Sequence, residues 1–169
     1  MVAIVLVDEN DNQIWLMEKL EAHEKWVLHR AFSVYIINKN KKILLQQRAL
    51  HKYHSPGLRA NTCCSHQFED EDNEMAAHRR LQEEMWFDNS MEKLTEFIYK
   101  TPVPTNLIEH EYLHVFLGTY DGAEIAPNPE EVKTTKRLSF DELDQLVDND
   151  DASIAPWTKM TWKKIRGLM

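Results

Sequence analysis

The chain has 169 residues and a formal net charge of −8. It is long enough to bury one full core without disulfides or a structural metal, and its acidity argues against a general nucleic-acid binder. No apolar run approaches bilayer length, and the opening Val2–Val7 lacks a basic leader and a small-residue cleavage site.

Val2–Val7 and Gln13–Met17 flank a polar Asp8–Asn12 turn and predict an N-terminal hairpin. Glu18–His29 follows, with His23 and His29 six residues apart. Neither helix nor strand makes that spacing convergent, so joint ligation requires a bend between them. Taken singly, each reads as a surface or hydrogen-bonded histidine. Ala31–Ile37 and Lys42–Gln46, joined by Asn38–Lys41, predict a second hairpin of buried central strands. Arg48 and Lys52 then precede a Ser55-Pro56-Gly57 turn. They are either solvated charges at a strand exit or a phosphate grip.

Asn61-Thr62-Cys63-Cys64-Ser65-His66 places a thiol and an imidazole two residues apart. In extended backbone, Cys64 and His66 face one side and Cys63 the other. Burial statistics alone make both cysteines small buried hydrophobes. Adjacent cysteines do not readily bridge each other, which points to a reducing, cytoplasmic setting.

The acidic Glu69–Glu74 run leads into a helix over Met75–Met85 with Ala77, Leu81 and Met85 as its apolar stripe. Glu84 borders that stripe in line with Arg80, whereas Glu83 points away. A carboxylate in that position needs a partner, either Arg80 as an ordinary helix pair or a bound cation. Leu94–Lys100 predicts a strand and Thr101–Thr105, with its two prolines, a connection. In the strand Leu107–Leu117, Glu109 and Glu111 share one face with Leu113, and His110, Tyr112 and His114 share the other. Two carboxylates on an apolar face repel each other unless a cation or a shared proton relieves them, which favours a metal site. Glu131–Leu138 predicts a strand, Ser139–Glu142 a capping box opening a helix through Val147, and Thr158–Leu168 a short amphipathic helix after Pro156-Trp157. Trp157 reads as core packing or as an aromatic face beside a cation. With no repeat or linker, residues 1–169 form a single α/β (α+β) domain.

Glu71, Arg79, Glu83 and Glu84, counted from Ser65, resemble a degenerate Nudix box. The full box has Arg-Glu at Arg79-Arg80 and begins and ends with Gly, where this chain has Ser65 and Trp86. The box resemblance implies a mixed-sheet sandwich with flanking helices. The Asn61–His66 stretch, Glu109-His-Glu111, Glu18-Lys19 with His23 and His29, Arg48 with Lys52, and Pro156-Trp157 together resemble the type I isopentenyl-diphosphate isomerases over nearly the whole chain.

That resemblance implies a flavin-independent interconversion of isopentenyl and dimethylallyl diphosphate. It implies one octahedral site for a first-row divalent metal (Mn, Zn or Fe) made by His23, His29, His66, Glu109 and Glu111. Glu84 would serve a Mg ion that accompanies the diphosphate, and Arg48, Lys52 and Arg80 would hold the diphosphate itself. Cys64 and Glu111 would be the opposed acid and base, with Tyr99 and Glu109 assisting and Trp157 facing the cationic intermediate. The implied partner is a small prenyl diphosphate, without nucleic acid or membrane, on a monomer or weak homodimer. The rivals are a Nudix hydrolase of a nucleotide or prenyl diphosphate and a non-catalytic metal-binding protein; Cys64 and the extra carboxylate pair count against both. Ser65 also replaces a Gly usual between the family's Cys and His. Trp86 stands where a left-handed conformation disfavours a bulky residue, so the helix end is expected to be modified.

Overall fold

The structure, a computed structural model, describes residues 3–52, 54–103, 107–122 and 125–169. In chain order its elements are β1 (Ala3–Val7), β2 (Gln13–Glu18), α1 (Lys19–Glu24), β3 (His29–Ile37), β4 (Lys42–Arg48), β5 (Arg59–Ala60), β6 (Cys63–Ser65), α2 (Asn73–Met85), β7 (Met91–Val103), β8 (Leu107–Thr119), β9 (Val132–Ser139), α3 (Phe140–Asp148) and α4 (Pro156–Ile165). A 3-10 turn, Arg166–Leu168, follows.

β1 and β2 form the expected antiparallel hairpin, although Val2 lies outside the described residues. The Glu18 carboxylate accepts the Glu21 N–H and so starts α1. Past the end of α1, Trp26 takes φ 59° and redirects the chain into β3. This is the bend that brings His29 back toward His23.

The expected second hairpin opens into a fork. β3 and β4 share only the pair Ile37↔Ile43. Beyond it, β3 runs parallel to β8 from His29↔Glu111 to Ile37↔Thr119, while β4 runs antiparallel to β9 from Lys42↔Ser139 to Arg48↔Val132. The backbone groups left facing the gap need partners. Asn61 and Thr62 supply several of them: Thr62 Oγ1 donates to Leu44 O at 2.6 Å and accepts the Ile36 N–H at 3.0 Å, and Asn61 Nδ2 donates to Val34 O at 3.2 Å. The cysteine segment is therefore wedged into the sheet, and β6 pairs with β3 through Cys64↔Ser33.

Alternation along β3 builds a core on each face. Phe32, Val34 and Ile36 pack with Cys63 against Ala77, Leu81 and Met85 of α2. Ala31 and Tyr35 pack on the other side with Leu143 of α3 and with Trp157, Trp162 and Ile165 of α4. The result is the mixed-sheet α/β sandwich with flanking helices that the box implies.

Several boundaries differ from expectation. Thr101, Pro102 and Val103 are strand residues of β7, paired with Glu109, Ile108 and Leu107; Pro104 and Thr105 lie outside the described residues. Pro102 is tolerated because β7 pairs with β8 alone, at a sheet edge. α2 begins two residues early, at Asn73, with Asp72 capping it through the Met75 N–H. The capping box at Ser139 and Glu142 is present. α4 begins at Pro156, a residue preorganised for the first helical position, so Trp157 sits in its first turn. The expected change at the end of α2 does not occur: Trp86 itself adopts φ 57° and ψ 22°, its N–H bonds Gln82 O at 3.0 Å, and its indole stands in solvent at 60% exposure. No helix among the described residues is long and apolar enough to cross a membrane.

Candidate active site

The fork, α1, β8 and α4 enclose a cavity of about 120 Å³. One wall is a cluster of imidazoles. His23 comes from α1, His29 opens β3, His66 follows β6, and Glu111 lies on β8 opposite His29 in register. One ligand atom from each lies within 4.8 Å of all the others. His23 Nδ1 is 2.6 Å from Lys19 O and His29 Nδ1 is 2.8 Å from Val27 O. These carbonyls place the proton on Nδ1 and leave Nε2 as the free donor pair.

Glu111 Oε1 lies 3.7 Å from His29 Nε2 and 3.5 Å from His66 Nε2. His29 Nε2 and both ring nitrogens of His66 are buried without a hydrogen-bond partner. Orphaned buried nitrogens converging on a carboxylate fit a first-row divalent ion. Burial, assisted by His29, pulls His23 down to about 4, and burial holds His66 well below the ordinary imidazole range; both are thereby kept neutral, the ligating form.

Glu109, expected in the same donor set, falls outside that group of four. It joins it through Tyr99, whose hydroxyl lies 3.0 Å from Glu109 Oε2 and 2.7 Å from Glu111 Oε2. Burial and the Glu111 charge raise the Glu109 carboxyl, whereas at Glu111 the effect of burial is outweighed by His29 and His66.

Cys64 lines the cavity with His66, and Cys63 is fully buried in the core under α2, as the alternation predicts. Burial pushes the Cys64 thiol up to about 12; Arg48 opposes the rise and Glu84, Glu109 and Glu111 add to it. The thiol is thus protonated at neutral pH.

The cavity is also lined by four cations, Lys19, Arg48, Lys52 and Arg80. Arg80 Nη2 lies 2.6 Å from Glu84 Oε1, and Gln46 Nε2 donates to Glu84 Oε2 at 2.8 Å. Glu84 thus makes the helix pair with Arg80, and it also lines the cavity. Trp157 likewise packs in the core and faces the cavity, with the Arg48 guanidinium 5.5 Å from its ring centroid. Arg48 also donates to His54 O at 3.3 Å.

Sequence reasoning assigned no role to Lys19, His54, Gln46 or Glu131, all cavity or near-cavity residues. Lys19 carried a signal, since it precedes His23 by one helical repeat of four. Gln46 carried a weaker one, sharing a strand face with Arg48 two residues on. Glu131 lies just outside β9, in a turn whose place depends on pairing with a distant strand.

A profile of the NUDIX domain matches residues 27–158. Isopentenyl-diphosphate Delta-isomerase 2 of Photorhabdus laumondii is 45% identical over 165 residues, covering 98% of this chain and 91% of the relative. Isopentenyl-diphosphate Delta-isomerase of Pectobacterium atrosepticum is 43% identical over 165 residues, covering 98% and 92%. The chain belongs to the isopentenyl-diphosphate Delta-isomerase family of NUDIX-domain proteins.

The NUDIX fold extends to remote structures. A Deinococcus radiodurans protein superposes with a TM-score of 0.77 at 17% identity over 95% of this chain and 98% of its own. A MutT protein of Methanosarcina mazei gives 0.66 at 14% identity, over 83% and 94%. In this Delta-isomerase family member, part of the box serves the fold. Arg79 makes paired bonds of 2.7 Å to both oxygens of Glu71 and lies 4.0 Å from the Phe68 ring centroid, while Glu83 is exposed, as its helical position predicts.

Proposed function

We propose that the chain interconverts isopentenyl and dimethylallyl diphosphate by protonating one carbon of the alkene and deprotonating another. The observation that carries this reading is that one cavity holds a protonated thiol, a carboxylate pair linked by a phenol, and four cationic side chains. The cations suit the diphosphate: Arg48 and Arg80 offer forked donors, and Lys52 and Lys19 point charges. Cys64 and Glu111 then act on opposite sides of the alkene, and Tyr99 passes protons between Glu111 and Glu109. The face of the buried Trp157 stabilises the tertiary carbocation-like state.

His23, His29, His66 and Glu111, with Glu109 behind them, would hold a Mn, Zn or Fe ion, whose charge keeps Glu111 ionised and aimed. Glu84 would hold a Mg ion that arrives with the diphosphate. The reading takes residues 1–169 as a single working domain, acting as a monomer or weak homodimer. The two free cysteines suit a reducing cytoplasm.

Incubation of the metal-loaded protein with isopentenyl diphosphate in deuterated water, followed by NMR, tests this reading. The expected product is deuterated dimethylallyl diphosphate. Release of monophosphate or inorganic phosphate would support a hydrolase instead, and metal binding without turnover a binding protein.

A further inference from the structure

The cations proposed to hold the diphosphate already have an anion among them. Glu131 sits in the turn before β9, where its carbonyl accepts the Ala49 N–H at 3.0 Å and its own N–H donates to Asn128 O at 3.0 Å. Asn128 N–H in turn donates to Glu84 O at 2.9 Å, so this turn is tied to β4 and to the end of α2. From that fixed position the Glu131 carboxylate pairs with Lys52 and lies 3.4 Å from Arg80 Nη2. Arg80 is thus held between Glu131 and Glu84.

Counting the formal charges that line the cavity, the four cations Lys19, Arg48, Lys52 and Arg80 meet the four carboxylates Glu84, Glu109, Glu111 and Glu131. A free diphosphate, a multiple anion, therefore meets Lys52 and Arg80 with their charges already offset by Glu84 and Glu131. It must also compete with Glu131 for Lys52 and Arg80. A diphosphate already complexed to a divalent cation carries less charge and brings its own counter-ion toward the two carboxylates.

We propose that Glu131 is a selectivity residue: it makes the cavity take a diphosphate as its divalent-metal complex and reject the free anion. The proposal rests on the reading that Lys52 and Arg80 hold the diphosphate, and it specifies the form in which that group is accepted. A neutral side chain at this position leaves Lys52 and Arg80 unopposed. Free diphosphate then binds more tightly, and the dependence on a divalent cation shrinks.

The test is calorimetric titration of the full chain with inorganic pyrophosphate, in metal-free buffer and again at saturating Mg. Wild type is expected to bind at least about tenfold more tightly with Mg, the scale of one unit charge at this separation after screening. Glu131→Gln is expected to gain about tenfold in metal-free buffer and clearly less with Mg. Glu131→Asp keeps the charge and is expected to retain the metal dependence of wild type, which separates charge from simple loss of packing. Lys52→Ala is expected to weaken binding under both conditions.

Wild-type binding equal with and without Mg would overturn the proposal without any variant. So would a Glu131→Gln chain that binds free pyrophosphate no better than wild type, an equal gain under both conditions, or an unaffected Lys52→Ala. If the NMR experiment shows turnover and the pyrophosphate pattern fails, only the Glu131 assignment falls. If turnover is absent and the pattern holds, the isomerase reading falls and Glu131 keeps its role.

Discussion

The thiol of Cys64 reaches the cavity because β6 alternates its side chains, and the same alternation sends Cys63 under α2. Replacing Cys64 by Ala is expected to lower kcat by about 10²–10⁴-fold, the range for a lost acid–base group. Cys63→Ala is expected to keep most turnover and to lose about 1–2 kcal/mol of stability through a small core void. Steady-state kinetics beside thermal melts check both; equal kinetic losses would remove Cys64 from its role. Trp86 offers a different residue-scale experiment. Its left-handed backbone costs about 1–2 kcal/mol for an L residue, and its exposed indole returns little. Trp86→Gly is therefore expected to stabilise the chain by up to about 1 kcal/mol in a denaturant titration, after the greater unfolded-state freedom of Gly is subtracted. At this scale parity arguments were dependable, because side-chain direction along a strand is local. They separated Cys63 from Cys64 and paired Glu109 with Glu111. They had no access to Glu131, whose neighbours Lys52 and Arg80 come from other parts of the chain.

Between β3 and β4 the wedge segment replaces ladder hydrogen bonds with side-chain ones. Thr62→Val keeps the shape and removes the hydroxyl, leaving Leu44 O and the Ile36 N–H unpaired in the core. A loss of about 1–3 kcal/mol is expected, measured by urea unfolding, because buried groups are stranded. A change below a few tenths of a kcal/mol would show that the wedge does not hold the fork. The fork also explains the hairpin that turned out to be one pair long. A short polar turn between two apolar runs correctly marks adjacency at the turn, but it does not say what each strand pairs with beyond it. Pairing of β3 with β8 and of β4 with β9 joins residues 82 to 97 positions apart in sequence along most of each strand. The capping box of α3, by contrast, was readable because both of its members lie within one turn.

For the molecule as a whole, the buried histidines tie stability to pH. Burial lowers His23 to about 4 and His54 to about 3, and holds His66 well below its ordinary value. In the unfolded chain each returns to about 6.5, so below that pH the unfolded state binds more protons and stability falls. The metal-free chain is expected to lose about 1 kcal/mol per pH unit for each of these histidines once the pH drops below about 6.5, seen as a falling melting temperature between pH 7 and 5. Added Mn or Zn is expected to raise the melting temperature at pH 7 and to do so less at pH 5, where protons compete for the same nitrogens. A pH-independent metal effect would place the ion elsewhere. The family resemblance, spread over separated motifs, brought His23, His29, His66 and Glu111 to one site where spacing alone could not. No local pattern connects an α1 histidine to a β8 carboxylate; the sheet does.

Gln46 spans two parts of the cavity with one amide group, donating at 3.0 Å to the carbonyl of Thr62 and at 2.8 Å to Glu84. Thr62 is two residues from Cys64, and Glu84 lines the same cavity beside Arg80. Buried to 2% exposure and braced between the fork and α2, this link works as a gauge of set length. On the proposed reading, the distance from diphosphate anchor to the Cys64 thiol belongs to the protein, and it does not stretch to suit a guest. A longer prenyl diphosphate whose double bond lies further from its phosphates cannot satisfy both ends at once, so the frame that holds the site together also measures what enters it.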